Sequence, residues 1–403
     1  MIKIRVDKFI LDSGERYCIV INKESGIPLY YPNLYLTTRF RNTGHAVSTI
    51  ESKAVNLSIF YRFLENNNIN IESNISSGLY LSGGDIDHLI TYLSRVSDLR
   101  KSMNLKSNYV SKRTLSHRLD SIIDYLSWLT EELLQYDLSK CGNYLYKFIK
   151  SIKVRKPMYH KNKYSESNHL KTLSDNAINE IMEMIDYQSP KNPFKPIVRN
   201  RNAIIIQVLS ELGIRGGELL NIKIEDINFQ KKRLYIRRRA DDISDSRLNQ
   251  PLVKTLARLL PLSNKLASDL KSYIDCDRKF FAKDKTGFLF ITYKSGPFRG
   301  EPLSISGYHK IISKIGDECH LLKRLTGHQF RHTWNYKFSC LMDLQDVSER
   351  EQEQMREKLM GWKEGSGTAS IYNKRFVEEK AHEASIRLQN RLHGKSGEIK
   401  NDK

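Results

Sequence analysis

Four short segments of this 403-residue chain carry side chains whose types could do chemistry on an anion. They contain two arginines (Arg215 and Arg331), a histidine three residues before the second arginine (His328) and a tyrosine near the C-terminus (Tyr372). An arginine fork matches phosphate oxygens, a histidine can move a proton, and a tyrosine hydroxyl becomes a nucleophile where cations help it ionise. Taken singly, each of these residues is more often structural than catalytic, so their order along the chain has to decide.

That order is specific. The segments read Gly213-Ile214-Arg215-Gly216-Gly217-Glu218-Leu219, His328-x-x-Arg331-His332-Thr333, Leu359-Met360-Gly361-Trp362 and Ile371-Tyr372. Together they resemble the boxes of the tyrosine recombinase (phage integrase) family, in which G-[LI]-R-x-x-E-L, H-x-x-R-H-T and L-G-[HW] precede a nucleophilic tyrosine. The resemblance covers about residues 40 to 390.

This resemblance implies a site that cuts DNA with a hydroxyl of the enzyme itself. Tyr372 would attack the scissile phosphate and hold a 3′-phosphotyrosine bond, which keeps the bond energy for rejoining. Arg215 and Arg331 would neutralise the non-bridging oxygens. His328 would donate a hydrogen bond to the same phosphate or assist proton transfer. Trp362, where many members have histidine, would contribute packing and an N–H donor.

By the same resemblance, the proton for the leaving 5′-oxygen would come from a lysine on the β-hairpin after Arg215. Lys254 fits best, because the family's lysine precedes a run similar to Arg258-Leu259-Leu260-Pro261-Leu262. Lys232 or an arginine within Arg237–Arg239 is the competitor for this role.

Four more residues have assigned or alternative roles in this interpretation. Glu218 would hold the turn at Arg215, and His332 stands at a position associated with support of the site. Tyr308 and Tyr336 are the alternative nucleophiles.

The elements that must position these residues indicate a mainly α-helical chain with small β-sheets. By resemblance, a helical core-binding domain precedes a mixed α/β catalytic domain of the tyrosine-recombinase type, behind an N-terminal β appendage. The predicted parts are a β-rich appendage (1–42), a helical DNA-binding domain (43–150), a basic linker (151–172), a catalytic domain with a C-terminal helix (173–391) and a disordered tail (392–403).

Local patterns give sharper expectations within these parts. Alternation predicts a strand at Leu34-Tyr35-Leu36, and Ser48 with Glu51 predicts a capping box that opens a helix. A further helix is predicted after Ser174, and Leu234-Tyr235-Ile236 is predicted to pair with Leu259–Leu262 across a long polar loop, 240–249. The C-terminal helix, from about Val377, either packs onto a neighbouring protomer or folds back in cis.

Charge favours a nucleic-acid partner. The chain has 66 Lys and Arg against 46 Asp and Glu, a net charge of +20. A basic run from Lys147 to Lys163 with interleaved aromatic residues is predicted to be an extended linker that crosses a phosphate backbone. The 39% of hydrophobic residues exclude a disordered polycation, and the lack of a long apolar run excludes a membrane-spanning protein.

The patterns indicate no cofactor and no metal. Gly394-Lys395-Ser396 resembles the end of a phosphate-binding loop, but Gln389 stands where its first glycine is required. No cluster of metal-ligand residues stands out, since Asp85-x-Asp87 fits a helix start and Asp241-Asp242 a solvated loop. The five scattered cysteines fit reduced thiols, and the absence of targeting signals fits a bacterial cytoplasm, with the protein on the nucleoid when bound.

The sequence therefore predicts a site-specific recombinase or integrase of a mobile element, acting on double-stranded DNA. Because recombination joins two sites and four strands, the family implies a homo-tetramer on DNA, with accessory proteins undefined. The alternatives are a tyrosine strand transferase that acts on one duplex, of the topoisomerase IB or telomere-resolvase kind, and a non-catalytic DNA-binding relative.

Overall fold

The computed structural model describes residues 4–96, 108–134, 138–158, 172–283, 287–322 and 324–393; within its helices, the side chains of residues 138–144, 368–376, 378, 392 and 393 are not described. The chain folds as two compact units, residues 1–162 and 163–403. It is mainly helical with small antiparallel sheets, which confirms the predicted fold class. No helix in these ranges is both long enough and apolar enough to span a bilayer.

The N-terminal unit joins a β-hairpin to a set of helices. The hairpin strands are β1 (Ile4–Ile10) and β2 (Arg16–Asn22). The helices are α1 (Tyr30–Leu36), α2 (Val47–Asn66), α3 (Ile71–Ser76), α4 (Gly83–Ser94), α5 (Lys112–Leu133) and α6 (Leu138–Val154), with a π-helical turn at Thr37–Arg41. Val20 on the hairpin and Phe60 and Leu126 on the helices are buried in one hydrophobic core. The N-terminal strands thus pack as part of the helical unit.

The strand predicted at Leu34-Tyr35-Leu36 is wrong, because these residues end helix α1. Pro32 lies in the first turn of the helix, where its missing N–H costs no hydrogen bond. Tyr35 and Leu36 turn into the core, and the Tyr35 ring centroid lies 5.2 Å from that of Trp128 on α5. Three alternating residues fit one helical turn as well as a strand, so tertiary packing decides.

The capping box predicted at Ser48 is also wrong. Helix α2 begins at Val47 after Ala46, and no side chain caps it. Glu51 instead forms an ion pair with Lys8 of β1, with 2.5 Å between Oε1 and Nζ. A partner distant in sequence therefore takes the carboxylate that local spacing assigned to the helix terminus.

The first part of the basic run is helical. Helix α6 continues to Val154, so the expectation of extended chain from Lys147 is wrong up to that residue. Beyond it, Arg155 Nε donates to Asp87 at 2.6 Å and Lys156 Nζ to Asp120 at 2.6 Å, which fastens the segment to α4 and α5. Residues 159–171 of the predicted linker lie outside the described residues, as do residues 394–403 with Gly394-Lys395-Ser396. The predicted division into five parts stays a prediction.

The C-terminal unit surrounds a small three-stranded sheet with helices. Its strands are β3 (Ile227–Asn228), β4 (Arg233–Ile236) and β5 (Arg258–Pro261), in that spatial order. Its helices are α7 (Asp175–Ile185), α8 (Pro196–Leu212), α9 (Gly216–Leu219), α10 (Asn264–Ser272), α11 (Ile305–Glu318), α12 (Gly327–Leu344), α13 (Glu349–Met360) and α14 (Thr368–His393). Shorter helical turns cover Ile224–Asp226, Tyr273–Asp277 and Arg278–Phe280.

Two local predictions in this unit are confirmed. The Ser174 side chain accepts the Ala177 N–H at 3.2 Å and caps α7. Strands β4 and β5 are antiparallel, with Leu234 opposite Leu260, both buried in the core of the unit. Apolar alternation fixes this register, since a slip by one residue would expose the buried side chains.

The long loop between β4 and β5 is present, but it is anchored rather than freely solvated. Within it, Arg247 Nη2 lies 2.8 Å from Oδ2 of Asp245, and both side chains are buried. Arg247 Nη1 also donates to the carbonyls of Leu220 and Leu303, at 3.1 and 2.9 Å. Asp242 forms an ion pair with Lys223 at 2.7 Å. These contacts fix the chain shortly before Lys254.

The first part of helix α14 folds back in cis onto α12. Tyr336 Oη donates to Glu379 at 2.6 Å, and Lys380 Nζ lies 2.6 Å from Asp343. Further along, Ile386 and Leu388 are exposed. The helix therefore starts on its own chain and continues away from it.

Candidate active site

The candidate site is built around one buried carboxylate, that of Glu218. Helix α8 ends at Gly213, whose φ of +59° turns the chain into the Arg215 segment. Arg215 precedes α9, and its N–H donates to Glu218 Oε2 at 3.0 Å. Its Nη1 lies 3.7 Å from Glu218 Oε1, and 27% of its side chain is exposed. The predicted role of Glu218 in holding this turn is consistent with these contacts.

Two other arginines reach the same carboxylate from distant parts of the chain. Arg258 Nη2 at the start of β5 lies 2.9 Å from Glu218 Oε2, and Arg331 Nη1 on α12 lies 3.9 Å from it. Thr255 donates its hydroxyl to Oε1 at 2.6 Å. Burial alone would raise the pKa of Glu218, but Arg258, then Arg331 and Thr255, outweigh it and lower that pKa below its usual value. Glu218 is thus a charged carboxylate that joins three segments.

The Arg331 side chain points into the protein interior in this structure. Helix α12 begins with a reciprocal cap between Thr326 and Gln329, and its second turn buries Arg331 completely. Nη1 donates to the Gly213 carbonyl at 3.0 Å and Nη2 to the Met360 carbonyl at 3.1 Å. Arg331 therefore ties the end of α8 to the end of α13 as well as approaching Glu218.

His328 and Arg331 lie on the first turns of α12, as their spacing predicted, but in different environments. His328 is exposed, whereas Arg331 is buried. The rings of His328 and His332 meet edge to face, with centroids 4.8 Å apart. The N-termini of α9 and α12 both lie close to the Tyr308 ring, which brings the helix that follows Arg215 near the helix that carries His328.

Trp362 is positioned by a left-handed cap at the end of α13. Gly361 has a φ of +64°, and the Trp362 N–H then donates to the Glu357 carbonyl at 2.9 Å. The ring is buried, and the Arg331 guanidinium lies 5.2 Å from its centroid. Trp362 thus packs directly on a predicted catalytic arginine.

Tyr372 belongs to the first turns of α14, and its side chain lies outside the described part of the structure. Between Trp362 and this helix, Gly365 and Gly367 both adopt positive φ, at +67° and +65°. These glycines turn the chain twice before the helix that carries the predicted nucleophile.

Lys254 is an exposed residue in the irregular segment before β5, next to Thr255, which contacts Glu218. Three of its four competitors, Lys232, Arg237 and Arg239, are engaged elsewhere, whereas Arg238 is exposed. Lys232 Nζ donates to Asn264 at 2.6 Å, and Arg237 and Arg239 form ion pairs with Asp226 at 2.9 and 2.6 Å. The geometry therefore favours Lys254 as the lysine that belongs to the site.

The alternative nucleophiles are poorly placed. Tyr308 is buried on α11, and burial raises the pKa of its phenol. Its hydroxyl packs against Gly327 so closely that a Cβ there would lie 1.7 Å from the hydroxyl oxygen. Tyr336 donates to Glu379, and this hydrogen bond, followed by burial, raises its pKa. Both shifts disfavour the phenolate that attack requires.

Sequence reasoning missed Arg258 and Thr255 as parts of the site. Arg258 entered only as a landmark for Lys254, and nothing local marks either residue as a partner of Glu218. Among the described residues, no group of three or more His, Cys, Asp or Glu side chains could hold a metal ion.

A comparison with protein families identifies the family of this chain. The model of the phage integrase family matches residues 171–379, more than half of the chain. The chain belongs to the phage integrase family. It is therefore a tyrosine recombinase, an enzyme that transfers DNA strands, and DNA is its partner.

Relatives of this integrase-family chain span most of its length. Transposase A from transposon Tn554 of Staphylococcus aureus is 25% identical over 297 residues, which is 72% of this chain and 75% of the transposase. The tyrosine recombinase XerS of Streptococcus mutans is 24% identical over 266 residues, 63% of this chain and 67% of XerS.

Solved structures share the fold. XerH bound to its difH substrate before cleavage aligns with a TM-score of 0.51 and 18% identity, over 85% of this chain and 80% of XerH. The Tn1549 transposon integrase in complex with transposon right-end DNA aligns with a TM-score of 0.50 and 15% identity, over 90% of this chain and all of the integrase chain.

Proposed function

We propose that this recombinase integrates or excises a mobile element by cutting and rejoining double-stranded DNA through a 3′-phosphotyrosine intermediate. The similarity to transposase A from Tn554 over 72% of the chain supports the mobile-element role. The convergence of Arg215, Arg258 and Arg331 on the buried Glu218 supports the catalytic role, because it fixes positive charge beside an exposed histidine.

In the proposed cleavage step, Tyr372 loses its phenolic proton to water and its oxygen bonds to phosphorus. The bond from phosphorus to the 5′-oxygen breaks, and that oxygen takes a proton from Lys254. Arg215, which is part-exposed, binds a non-bridging oxygen, and His328 donates a hydrogen bond to the same phosphate. Nothing is consumed, so the reverse step rejoins the strand.

In this scheme Arg331 acts on the phosphate indirectly. Its guanidinium holds the carbonyls of Gly213 and Met360, so it fixes the segments that lead to Arg215 and Trp362 and adds a positive charge to the site. Because Arg331 is fully buried in this structure, a direct contact with a phosphate oxygen requires a change that exposes one of its N–H groups. Trp362 supports Arg331 by packing on its guanidinium.

We further propose that the enzyme works as a homo-tetramer on DNA in the bacterial cytoplasm, associated with the nucleoid when bound. Two recombining sites present four strands, and each strand needs one Tyr372. The matched relatives from Staphylococcus and Streptococcus support a bacterial setting.

The decisive experiment traps the covalent intermediate on a nicked suicide substrate, from which the cut strand's end diffuses away. The wild-type protein is expected to form a covalent adduct with DNA, and Tyr372→Phe is expected to form none while binding the same DNA. Tyr336→Phe is the matched control and should keep adduct formation. Adduct in Tyr372→Phe, or its loss in Tyr336→Phe, would overturn the assignment of the nucleophile.

The proposed acid is tested separately with a leaving group that needs no proton. Lys254→Ala should cleave normal DNA more slowly by about 100-fold, the lower end of what general acid catalysis contributes. A 5′-phosphorothiolate substrate should restore the rate, because a thiol has a pKa of about 8.5 and leaves as the anion. Lys232→Ala should cleave both substrates at the wild-type rate; a slow, rescued Lys232→Ala would move the role to Lys232.

A further inference from the structure

The segment that carries Lys254 is attached to the site through its neighbours. Lys254 is exposed and makes no hydrogen bond or ion pair with the described residues, whereas Thr255 and Arg258 turn inward. Thr255 donates to Glu218 Oε1 at 2.6 Å and accepts from Arg258 Nη1 at 3.0 Å. The path from Lys254 to the buried carboxylate is therefore one residue long.

Arg258 uses all three guanidinium nitrogens in this attachment. Nη2 binds Glu218, Nη1 binds Thr255, and Nε donates to the Leu359 carbonyl at 2.7 Å. The side chain is 5% exposed. A lysine cannot reproduce this arrangement, because its ammonium is a single point of charge whereas the guanidinium is a planar fork.

A second set of contacts fixes the same segment to the end of α13. The Leu256 N–H donates to the Gly361 carbonyl at 2.9 Å. A Cβ on Gly361 would lie 2.7 Å from the Leu256 carbonyl oxygen and 2.8 Å from Arg258 Nη1. Residues 255–258 thus lie between the Glu218 carboxylate and the turn that presents Trp362, with no room for a side chain at Gly361.

We propose that Arg258 is a positioning residue that sets the location of the Lys254 ammonium relative to the scissile phosphate, with Thr255 as its relay. This inference rests on the proposed role of Lys254 as the general acid. A flexible lysine on an irregular segment delivers its proton efficiently only if its backbone is held in place, since a misplacement of about 1 Å can cost about 100-fold in rate. Arg258 supplies that restraint by joining the lysine segment to the carboxylate that also holds Arg215.

The test compares cleavage of normal and 5′-phosphorothiolate DNA by the full-length chain. Arg258→Lys should cleave normal DNA about 100-fold more slowly and recover on the phosphorothiolate, because only the proton transfer is impaired. Thr255→Val should show the same pattern with a loss of about 10-fold. The double variant Lys254→Ala/Arg258→Lys should be no slower than Lys254→Ala alone, since one function cannot be lost twice.

Arg278→Lys is the matched control. Arg278 is a buried arginine of the same unit that donates to the Phe288 carbonyl at 2.9 Å. The Arg278→Lys variant should cleave both substrates at the wild-type rate. Thermal unfolding of each variant separates a loss of fold from a loss of positioning, and Thr255→Val keeps the test open if Arg258→Lys does not fold.

Each outcome decides between the two proposals. If Lys254→Ala is rescued by the phosphorothiolate and Arg258→Lys is equally slow on both substrates, the positioning role is overturned and Lys254 keeps its own. If Arg258→Lys matches the wild type on normal DNA, the positioning role is again overturned. If Lys254→Ala is not slowed or not rescued, the acid role fails and the positioning role fails with it.

Discussion

The two units of this chain bury charge in opposite ways. In the described part of residues 1–162, the buried charged side chains are Arg16 and Arg118, and no carboxylate is buried. Both of these arginines donate to backbone carbonyls. In the described part of residues 163–403, four buried carboxylates stand among six buried arginines: Glu218, Asp226, Asp245 and Glu357, with Arg201, Arg247, Arg258, Arg278, Arg331 and Arg356.

This contrast distinguishes a unit held by apolar contacts from a unit that buries ionised groups. Apolar and aromatic packing accounts for the first unit, in which Tyr35 packs on both Tyr125 and Trp128. The second unit keeps ionised groups in its interior, which apolar packing alone would not require and which desolvation opposes. At the proposed active site, the Glu218 carboxylate makes the clustering of three arginines tolerable.

The largest effect is expected from Glu218→Gln. Removing this carboxylate leaves the Arg258 and Arg331 guanidinium groups buried with no counter-charge, which typically costs about 3–5 kcal/mol. Native-state hydrogen exchange on the full chain should show the loss in residues 163–403 and little change in residues 1–162. Asp124→Asn, which removes an exposed partner of Lys53, is the control and should cost less than about 1 kcal/mol. Equal losses in both units would break the contrast.

Acid sharpens the same comparison. Because the folded state lowers the pKa of Glu218 below its usual 4.5, its contribution to stability is complete above that pH and is lost as pH falls through the lower folded value. Stability of the C-terminal unit should therefore fall with pH below about 4.5, and the fall should be shallower in Glu218→Gln. Urea unfolding of the wild type and the variant at a series of acid pH values measures the two slopes. An identical slope in the two proteins would contradict this account.

An intermediate effect is expected from Arg118→Met in the first unit. Arg118 Nη1 donates to the Leu93 and Arg95 carbonyls at 2.5 and 2.9 Å. Removing the guanidinium leaves buried carbonyl oxygens without a hydrogen-bond donor, which costs about 1–3 kcal/mol. Urea unfolding should show this loss without any change in its dependence on pH, because no carboxylate takes part; a new acid dependence would be unexpected.

A smaller effect is expected from Asp120→Asn. The ion pair of Asp120 with Lys156 joins α5 to the chain that follows α6, and the Asp120 side chain is 50% exposed. An exposed pair of this kind contributes about 0.2–1 kcal/mol and is screened by salt. The difference from wild type in thermal unfolding should shrink at 1 M salt, whereas the loss in Glu218→Gln should persist there.

The smallest effect is expected from Tyr308→Phe. The Tyr308 hydroxyl is buried and makes no hydrogen bond with the described residues. Its removal should change stability by less than about 1 kcal/mol and leave cleavage unchanged. A large loss of cleavage would reveal a chemical role for this hydroxyl, and Gly327→Ala, which places a Cβ 1.7 Å from it, should be far more damaging.

Local sequence patterns predict the parts of this structure that depend on residues close together in the chain. The helix after Ser174 and the pairing of the strands that hold Leu234 and Leu260 follow from local pattern, and the segments with Arg215 and His328 are recognised from their order. Glu51 was misjudged because Lys8 takes it, and Arg258 was overlooked because its partner lies on another element. Burial of Arg331 was likewise invisible, since spacing fixes a helix face but not what covers it.

The span of these contacts has a consequence for the newly made protein. Arg331 donates to a carbonyl 118 residues earlier, and the Leu173 N–H donates to Thr333 across 160 residues. Such distant pairings form late, because closing long loops costs entropy before any contact repays it. A chain still leaving the ribosome holds Arg215 without Arg331 and has no residue of α14. The arginine cluster at Glu218 is thereby complete only after α12 has been synthesised.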